Sequence, residues 1–301
     1  MNARSPVVPD EAREAFTYDE AFGRNRGLIS DGEQARLRGA TVAIAGVGGV
    51  GGGHALTLAR QGVGGFRLAD PDRFSVANLN RQAGATISSL GRNKARELGR
   101  LILEINPSAR VELFEEGLHA GNVEAFLGGV DLVLDGLDAF AIDARRLLFA
   151  SARERGLWTL TSGPLGFSAT LHAFSPTGMS FDRYCGFLPG MSHAEQLIAF
   201  VVAIAPRATH LPYMDLSRVD VRTGVGPSAA LACQLCSAVI ATEALALLLG
   251  RRAPRAAPDF SQLDPYRGVY RRGRLRWGNR GPLQRLKRWA LRRRLARLGV
   301  I

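Results

Sequence analysis

A glycine-rich turn is the first feature of this 301-residue sequence whose residue types could do chemistry. Gly46, Gly48 and Gly51 satisfy the pattern G-x-G-x-x-G, with Gly49 between them, after a short apolar run and before a stretch with helical spacing. Such glycines let backbone N–H groups and a helix N-terminus approach a phosphate closely. Asp70 ends the next apolar run, about 20 residues further on, where a carboxylate can bond ribose hydroxyls. These residues predict nucleotide binding, and on their own they fit a dinucleotide-dependent dehydrogenase as well as an ATP site.

The polar loop after Asp70 separates these two hypotheses. It carries Asn78, Arg81 and Gln82, and Lys94 follows at the start of a predicted helix. Arg81 and Lys94 together would neutralise a triphosphate and the charge that develops on it during attack by a carboxylate, a task that hydride transfer does not require. The loop therefore favours ATP, and a solvated loop with an unrelated Arg and Lys is the alternative.

Alternating strand and helix patterns must position these residues. Short β-branched apolar runs are followed by segments with helical spacing, which predicts βαβ units. The expected fold class is therefore α/β, a Rossmann-like, doubly wound, mostly parallel sheet that antiparallel strands extend. Strands are predicted at residues 41–45, 65–70, 110–114, 131–135 and 157–161, and helices at 51–61, 91–105, 122–127 and 143–155. Residues 168–174 and 179–181 are predicted to form an antiparallel hairpin joined to this sheet.

The positive charge of the chain is confined to its C-terminal end. The formal net charge is +12, yet residues 267–301 hold thirteen Arg or Lys and no Asp or Glu, which leaves 26 basic against 27 acidic residues in the first 266. We therefore predict an N-terminal arm over residues 1–40, a nucleotide-binding domain over 41–266 and a basic tail over 267–301. Within the tail, residues 269–277 are predicted to form a hairpin and 283–298 an amphipathic helix. The tail could contact an acidic partner, RNA or an anionic membrane surface, or it could be a solubilising end or the result of a genomic bias towards arginine.

Two further patterns bear on localisation. Residues 223–242 carry no charged side chain, but the glycines, Pro227 and the polar residues among them favour a buried core helix over a membrane span. Cysteine is rare, with Cys185, Cys233 and Cys236 in no regular spacing, and the N-terminus lacks the apolar stretch of a signal peptide. A cytoplasmic protein is the expectation.

Several motifs in a fixed order make residues 18–250 resemble the ThiF-type adenylating enzymes, a family that includes ubiquitin-activating proteins and activators of sulfur-carrier proteins. The resemblance implies an ATP-dependent adenylyltransferase. Such an enzyme activates a carboxylate, commonly the C-terminal one of a ubiquitin-like carrier protein or a peptide, as an acyl adenylate with release of pyrophosphate. The motifs are Asn25-Arg26-Gly-Leu-Ile29, the glycine turn, Asp70, Asn78-Leu-Asn-Arg81-Gln82, Gly91-Arg-Asn-Lys94, Ile105-Asn-Pro107 and Asp135-Gly-Leu-Asp138.

The resemblance also implies roles for individual residues. ATP and Mg²⁺ are the implied cofactors, with Asp138 binding the metal and positioning the triphosphate. Arg26 matches an arginine that often reaches into the partner subunit's site, which implies a functional homodimer. Arg26, Arg81, Lys94 and Asp138 are the residues expected to act in catalysis. The implied nucleotide-binding residues are Gly46, Gly48, Gly49 and Gly51 in the turn, Asp70 at the ribose, Asn78, Arg81 and Lys94 at the phosphates, and Gln82 beside them.

The cysteines depart from the family's pattern. Many relatives hold a structural zinc ion with two C-x-x-C pairs. Here Cys185 stands alone, and Cys233 and Cys236 lie within a predicted helix, so we expect no zinc site. Cys185 is the candidate for a thioester-forming residue, but only Arg183 nearby could activate it, and an inert thiol is the preferred interpretation.

Three alternatives stay open at this point. One is a tRNA-modifying dehydratase of the same family, which the basic tail would suit. The others are an NAD-dependent dehydrogenase and a non-catalytic scaffold with the same fold. The intact Arg81, Lys94 and Asp138 argue against the scaffold.

Overall fold

The computed structural model describes residues 15–220 and 224–298, so residues 1–14 of the predicted arm, residue 223 of the uncharged segment and residues 299–301 of the predicted tail lie outside it. Helices α1 to α10 span Tyr18–Ala21, Asp31–Gly39, Gly49–Arg60, Lys94–Ile105, Val123–Leu127, Ile142–Glu154, Phe181–Cys185, His193–Ile204, Ala230–Leu248 and Pro282–Arg297. Strands β1 to β9 span Thr41–Ala45, Gly65–Ala69, Arg110–Phe114, Leu132–Asp135, Thr159–Thr161, Pro164–Leu165, Ser168–Phe174, Asp259–Asp264 and Val269–Arg274.

The described strands form one mixed sheet. Their order is β3-β2-β1-β4-β5-β7-β8-β9, with β6 paired to β7. Strands β1 to β5 run parallel to one another, and β7, β8 and β9 continue the sheet from β5 in antiparallel pairing. This arrangement confirms the predicted fold class.

Helices cover both faces of the parallel half, which is why its strands are continuous apolar runs. On one face Ile44 of β1 packs with Leu58 of α3 and Leu98 of α4. On the other face Ala43, the neighbouring residue of the same strand, packs with Leu148 of α6. Alternate residues of β1 thus belong to two separate layers of core.

The strand order reverses at β1, which has β2 on one side and β4 on the other. Ala45, the last residue of β1, pairs with Ala69 of β2 and with Asp135 of β4. The loops after these three strands therefore meet at one edge of the sheet. In open α/β sheets the crevice at such a reversal is where ligands bind.

The uncharged segment forms α9, which is long and apolar enough to cross a membrane by length and composition. In the fold α9 packs against α3 and β7. The hydroxyl of Ser237 donates a hydrogen bond to the carbonyl oxygen of Val50 at 3.3 Å. A Cβ at Gly53 would lie 2.2 Å from the Ser237 hydroxyl, so α3 and α9 approach closely because Gly53 has no side chain. One face of α9 is thus packed against α3 and the sheet, while other residues such as Leu231 are exposed.

Two predicted hairpins are wrong in detail. Residues 179–181 do not form a strand, because Ser180 caps the N-terminus of α7 by accepting a hydrogen bond from the N–H of Arg183 at 3.4 Å. Residues 269–277 do not fold back on themselves. Residues 269–274 form the single strand β9, because the chain has already reversed at Gly268, whose φ is +62°. The division into arm, domain and tail stays a prediction.

His54 lies in the middle of α3, and its side chain is completely buried. Neither ring nitrogen has a hydrogen-bond partner among the described residues. Burial lowers the pKa of His54 from its ordinary value of 6.5 to about 3. The His54 ring therefore becomes protonated below about pH 6.5 in the unfolded chain, but only near pH 3 in the folded chain. The stability that this neutral ring contributes is fully present above pH 6.5 and is lost as the pH falls through this window.

We expect His54→Leu to flatten the acid dependence of stability. Between about pH 5.5 and pH 4, the free energy of unfolding of the unmodified protein should fall more steeply than that of the variant, by about 1.4 kcal/mol per pH unit. Urea unfolding at a series of pH values measures this slope. The exposed His193 provides the control, and His193→Gln should keep the original slope. Parallel curves for the original protein and His54→Leu would show that His54 does not contribute.

Candidate functional site

The glycine turn joins β1 to α3 and needs glycine at two positions. Gly46 has a φ of +78°, and a Cβ there would lie 2.5 Å from the carbonyl oxygen of Gly136. A Cβ at Gly51 would lie 1.8 Å from the carbonyl oxygen of Gly46. The turn is therefore in direct backbone contact with the loop after β4. Helix α3 begins at Gly49, so its first N–H groups, which lack intrahelical acceptors, lie at the carboxyl edge of the sheet.

Asp70 follows β2 and fastens the turn to the next loop. Its Oδ2 accepts a hydrogen bond from the N–H of Val47 at 2.8 Å, and its Oδ1 accepts one from the N–H of Asp72 at 3.0 Å. Burial raises the pKa of the Asp70 carboxyl, an effect that nearby Lys94 opposes. Each carboxylate oxygen has a second acceptor position. These bonds therefore leave capacity for the ribose contact, which stays a prediction.

Lys94 brings a buried cation to the same edge. It begins α4, whose N-cap Asn93 accepts a hydrogen bond from the N–H of Arg96 and donates one to the carbonyl oxygen of Asp70, both at 3.0 Å. The Lys94 ammonium donates to Oδ2 of Asp72 at 2.8 Å. The Lys94 side chain is 7% exposed and that of Asp72 is 67% exposed. The counter-charge of a buried ammonium is thus supplied by a side chain that can move into solvent.

Gln82 and Arg81 reach the glycine turn from the loop after β2. The amide nitrogen of Gln82 lies 3.3 Å from the position that a Cβ of Gly48 would occupy. Arg81 Cγ lies 4.0 Å from the equivalent position at Gly49. Oε1 of Gln82 is buried and has no hydrogen-bond partner within the described parts of the chain. The glycine turn has no side chains to fill this space, and the buried Gln82 oxygen beside it lacks a partner among the described residues. With Arg81 and Lys94 at the same edge of the sheet, this environment suits a polar, anionic ligand such as a nucleotide.

Asn78 and Asp138 stand on loops at the same edge but make local hydrogen bonds. Oδ1 of Asn78 accepts from the N–H of Ser75 at 3.0 Å and so caps a short 3-10 turn. Asp138 is exposed, and its Oδ1 accepts from the N–H of Phe140 at 3.0 Å. Residues 15–220 and 224–298 contain no group of three or more His, Cys, Asp or Glu side chains arranged to hold a metal ion. The phosphate role of Asn78 and the metal role of Asp138 stay predictions.

A buried ion pair that the sequence patterns did not reveal holds the loop of Asp138. Nε of Arg145 donates to Oδ2 of Asp135 at 2.8 Å, and both side chains are at most 3% exposed. The N–H of Leu137 donates to Oδ1 of Asp135 at 3.1 Å, and its carbonyl oxygen accepts from Nη2 of Arg145 at 2.6 Å. The hydroxyl of Thr161, on β5, also donates to Asp135 at 2.9 Å. We call Asp135, Leu137, Arg145 and Thr161 the β4 clamp.

Arg26 lies at the opposite end of α3 from the turn. The side-chain amide of its neighbour Asn25 donates to the carbonyl oxygen of Gln61 at 3.3 Å, just after α3 ends. Twelve helical residues place this point about 18 Å from Gly49. Arg26 pairs with Asp31 at 3.3 Å, is 64% exposed, and borders a cavity of about 300 Å³ in the arm. The structure does not bring Arg26 to the glycine turn of its own subunit, and its action in a partner subunit stays a prediction.

All three cysteines are buried. Cys233 lies over the start of α3, with its Sγ 3.1 Å from the position of a Cβ at Gly49. Burial raises the pKa of the thiols of Cys233 and Cys236, and raises that of Cys185 well above its ordinary range. A buried, protonated thiol is a poor nucleophile. The inert interpretation of Cys185 agrees with this environment.

Curated relatives match about half of the chain. The tRNA threonylcarbamoyladenosine dehydratase of Haemophilus influenzae is 31% identical over 150 residues, which are 50% of this chain and 57% of that protein. The probable adenylyltransferase/sulfurtransferase MoeZ of Mycobacterium tuberculosis is 38% identical over 141 residues, 45% of this chain and 35% of that protein. The chain thus spans 35% to 57% of the length of these two relatives.

Solved structures share the fold at lower identity. Escherichia coli MccB, solved with MccA-N7isoASN, superposes with a TM-score of 0.66 at 16% identity, over 89% of this chain and 75% of that one. E. coli tRNA N6-threonylcarbamoyladenosine dehydratase, TcdA, superposes with a TM-score of 0.57 at 21% identity, over 77% and 95%. The ThiF family itself matches residues 22–280, most of the sequence and all of the edge described above. The chain therefore belongs to the ThiF family.

Proposed function

We propose that this protein is an ATP-dependent adenylyltransferase that activates a carboxylate, the C-terminal one of a ubiquitin-like carrier protein or a peptide. The observation that carries the proposal is the convergence at one sheet edge of a turn restricted to glycine and of the cationic side chains of Lys94 and Arg81. The loop of Asp138 contacts the same turn through Gly136. The adenylyltransferase names of family relatives such as MoeZ support it.

Phosphate binding would use the start of α3. The N–H of Val47 is already taken by Asp70, whereas those of Gly49 and Val50 open the helix and have no intrahelical acceptor. These donors and the helix dipole favour negative charge at this point. A solved complex of the E. coli dehydratase TcdA with AMP supports nucleotide binding by this fold.

The chemistry would depend on charge neutralisation and positioning. A carboxylate oxygen of the acceptor bonds to the α-phosphorus, the bond to the α,β-bridging oxygen breaks, and pyrophosphate leaves with the electron pair. Because the acceptor carboxylate is already ionised near neutral pH, the step needs no protein nucleophile or base. Lys94 would exchange Asp72 for the triphosphate, and Arg81, on the same loop after β2, would approach from beside Gly49. Asp138 would hold Mg²⁺, which neutralises phosphate charge when bound.

A tRNA-modifying dehydratase is the second candidate. The specific observation in its favour is that relatives from Haemophilus influenzae, Escherichia coli and Bacillus subtilis that match this chain bear the name tRNA threonylcarbamoyladenosine dehydratase. The two candidates differ in the acceptor that promotes ATP turnover. A carrier protein or peptide with a free C-terminus would do so in the first case, and tRNA in the second.

ATP–pyrophosphate exchange, assayed with both kinds of acceptor, tests the proposal. The chain contains only two lysines, which gives a matched pair of variants. We expect Lys94→Met to lower exchange about 100-fold, because a charge-assisted contact to phosphate is lost, and Lys287→Met to leave it unchanged. Stimulation by tRNA alone would support the dehydratase. Equal effects of the two lysine variants, or no exchange with any acceptor, would overturn the adenylation site.

The β4 clamp would determine where Asp138 stands relative to the turn. Arg145→Lys keeps the buried charge, but an ammonium cannot donate to both Asp135 and the carbonyl oxygen of Leu137 with the geometry of a guanidinium. We expect kcat for exchange to fall about tenfold or more, with a change of less than about threefold in the KM for ATP. Arg146→Lys is the control, since Arg146 is 39% exposed and pairs with Asp182 outside the site. A fall in thermal stability without a change in kcat would limit Arg145 to a structural role.

Arg26 would act in the partner subunit's site of a homodimer. Arg26→Ala and Asp138→Ala homodimers should each have low exchange activity. In a mixed dimer, the Arg26→Ala subunit keeps its Asp138 and receives Arg26 from its partner, so one complete site forms. We expect mixing the two variants to restore roughly half of the activity per mixed dimer. No recovery, in a sample whose light scattering and subunit exchange demonstrate mixed dimers, would disprove action across the interface.

A further inference from the structure

Helix α10 is fixed to the protein by one face. The side-chain amide of Gln284 donates to the carbonyl oxygen of Val202 in α8 at 3.2 Å. Leu295 is buried against Ile198 of α8, with Leu291 packed beside them. These positions of α10 recur at helical spacing and form its inner face. The opposite side of α10 takes no part in these contacts with α8.

The opposite side of α10 carries an apolar row that the described fold leaves exposed. Leu283, Leu286 and Trp289 are 62%, 57% and 52% exposed. A spacing of three residues places them along one side of the helix. The guanidinium of Arg293, one turn further on, lies 4.0 Å from the centre of the Trp289 ring. We call Leu283, Leu286 and Trp289 the outer row.

Positive charge surrounds the outer row. Residues 267–301 hold thirteen basic residues and no acidic one. On α10 itself Arg285, Arg293 and Arg297 are exposed. Two such surfaces would repel each other, which disfavours a second copy of the chain as the occupant. The charge favours an anionic partner.

The exposed leucines of the outer row distinguish between a nucleic acid and a lipid surface as the anionic partner. A nucleic acid would contact arginines through its phosphates and stack on Trp289, but exposed leucines gain little from phosphates or base edges. A lipid surface accommodates both kinds of side chain. Leucine and tryptophan enter the boundary between headgroups and acyl chains, while arginine stems lie along it and their guanidinium groups reach lipid phosphates. We infer that α10 is an interfacial anchor that binds an anionic lipid surface through the outer row and its flanking arginines.

Vesicle binding by the full chain tests the anchor. The protein is sedimented with phosphatidylcholine vesicles that contain about 30% phosphatidylglycerol, and with pure phosphatidylcholine vesicles, at about 0.15 M salt. We expect at least tenfold stronger binding to the anionic vesicles. The double variant Leu283→Ser/Leu286→Ser should lower that binding at least tenfold while melting at an unchanged temperature, because both side chains are exposed. Leu188→Ser, at a leucine that is 54% exposed outside the tail, is the matched control and should bind like the original protein.

Tryptophan fluorescence gives an independent measurement. In a Trp158→Phe/Trp277→Phe background, Trp289 is the only indole left. Its emission should shift to shorter wavelength with the anionic vesicles and not with pure phosphatidylcholine. Tight RNA binding that depends on the arginines but not on Leu283 and Leu286, together with no vesicle binding, would overturn the lipid anchor. It would identify a nucleic acid as the partner of α10. Equal binding to both kinds of vesicle would overturn the role of charge.

Discussion

The contact between the turn after β1 and the loop after β4 is the constraint on which the rest of the site depends. The N–H of Gly136 donates to the carbonyl oxygen of Ala45 at 2.8 Å. A Cβ at Gly136 would lie 2.3 Å from the carbonyl oxygen of Gly46. Because backbone touches backbone here, the separation between the start of α3 and the loop of Asp138 does not depend on side-chain rotamers. The adenylation proposed above would benefit from such rigidity, since small misplacements of reacting groups are costly in rate.

Two buried cations at this edge are held in different ways, and the difference bears on function. Arg145 pairs with a carboxylate that is itself buried and bound to backbone, so separating them would cost about 3–5 kcal/mol. Lys94 pairs with Asp72, whose side chain is two-thirds exposed. This pair can open more easily, because a released Asp72 carboxylate becomes solvated, and that property fits the phosphate contact proposed for Lys94. Arg145 is suited to holding a loop, and Lys94 is suited to holding a ligand.

Much of the fold and part of the site could be predicted from local patterns. The strand and the glycine turn are encoded in adjacent residues, Lys94 at a helix start is marked by the residues beside it, and the structure has all three there. The β4 clamp was not predicted, because Asp135 and Arg145 lie ten positions apart on different elements and an arginine on a helix is ordinarily a surface residue. The prediction of a hairpin at residues 269–277 was wrong for a similar reason. Its glycine resembles a turn, but the strand pairs with β8, whose register no local pattern reveals.

The position of Arg26 in the fold also could not be predicted from its place in the sequence. Its motif precedes β1 by only about a dozen residues, yet the arm packs where α3 ends, at the far side of the domain. A helix of this length separates its two ends by most of the thickness of a domain, and sequence proximity to the glycine turn carries no information about which end a flanking segment meets. If Arg26 contributes to catalysis, a second subunit must bring it to the turn, since its own turn is about 18 Å away.

Helix α8 connects the site with the tail. The guanidinium of Arg145 lies over the ring of Phe200 in α8, 4.5 Å from its centre, and two residues later Val202 accepts the hydrogen bond from Gln284 of α10. Helix α8 is therefore in contact with both the β4 clamp and the inner face of α10. The outer row faces away from α8, so a surface bound there leaves the packing of α8 on the β4 clamp in place. The lipid contact proposed for α10 and the adenylation proposed at the glycine turn would therefore use different surfaces, and variants of the outer row would separate the two.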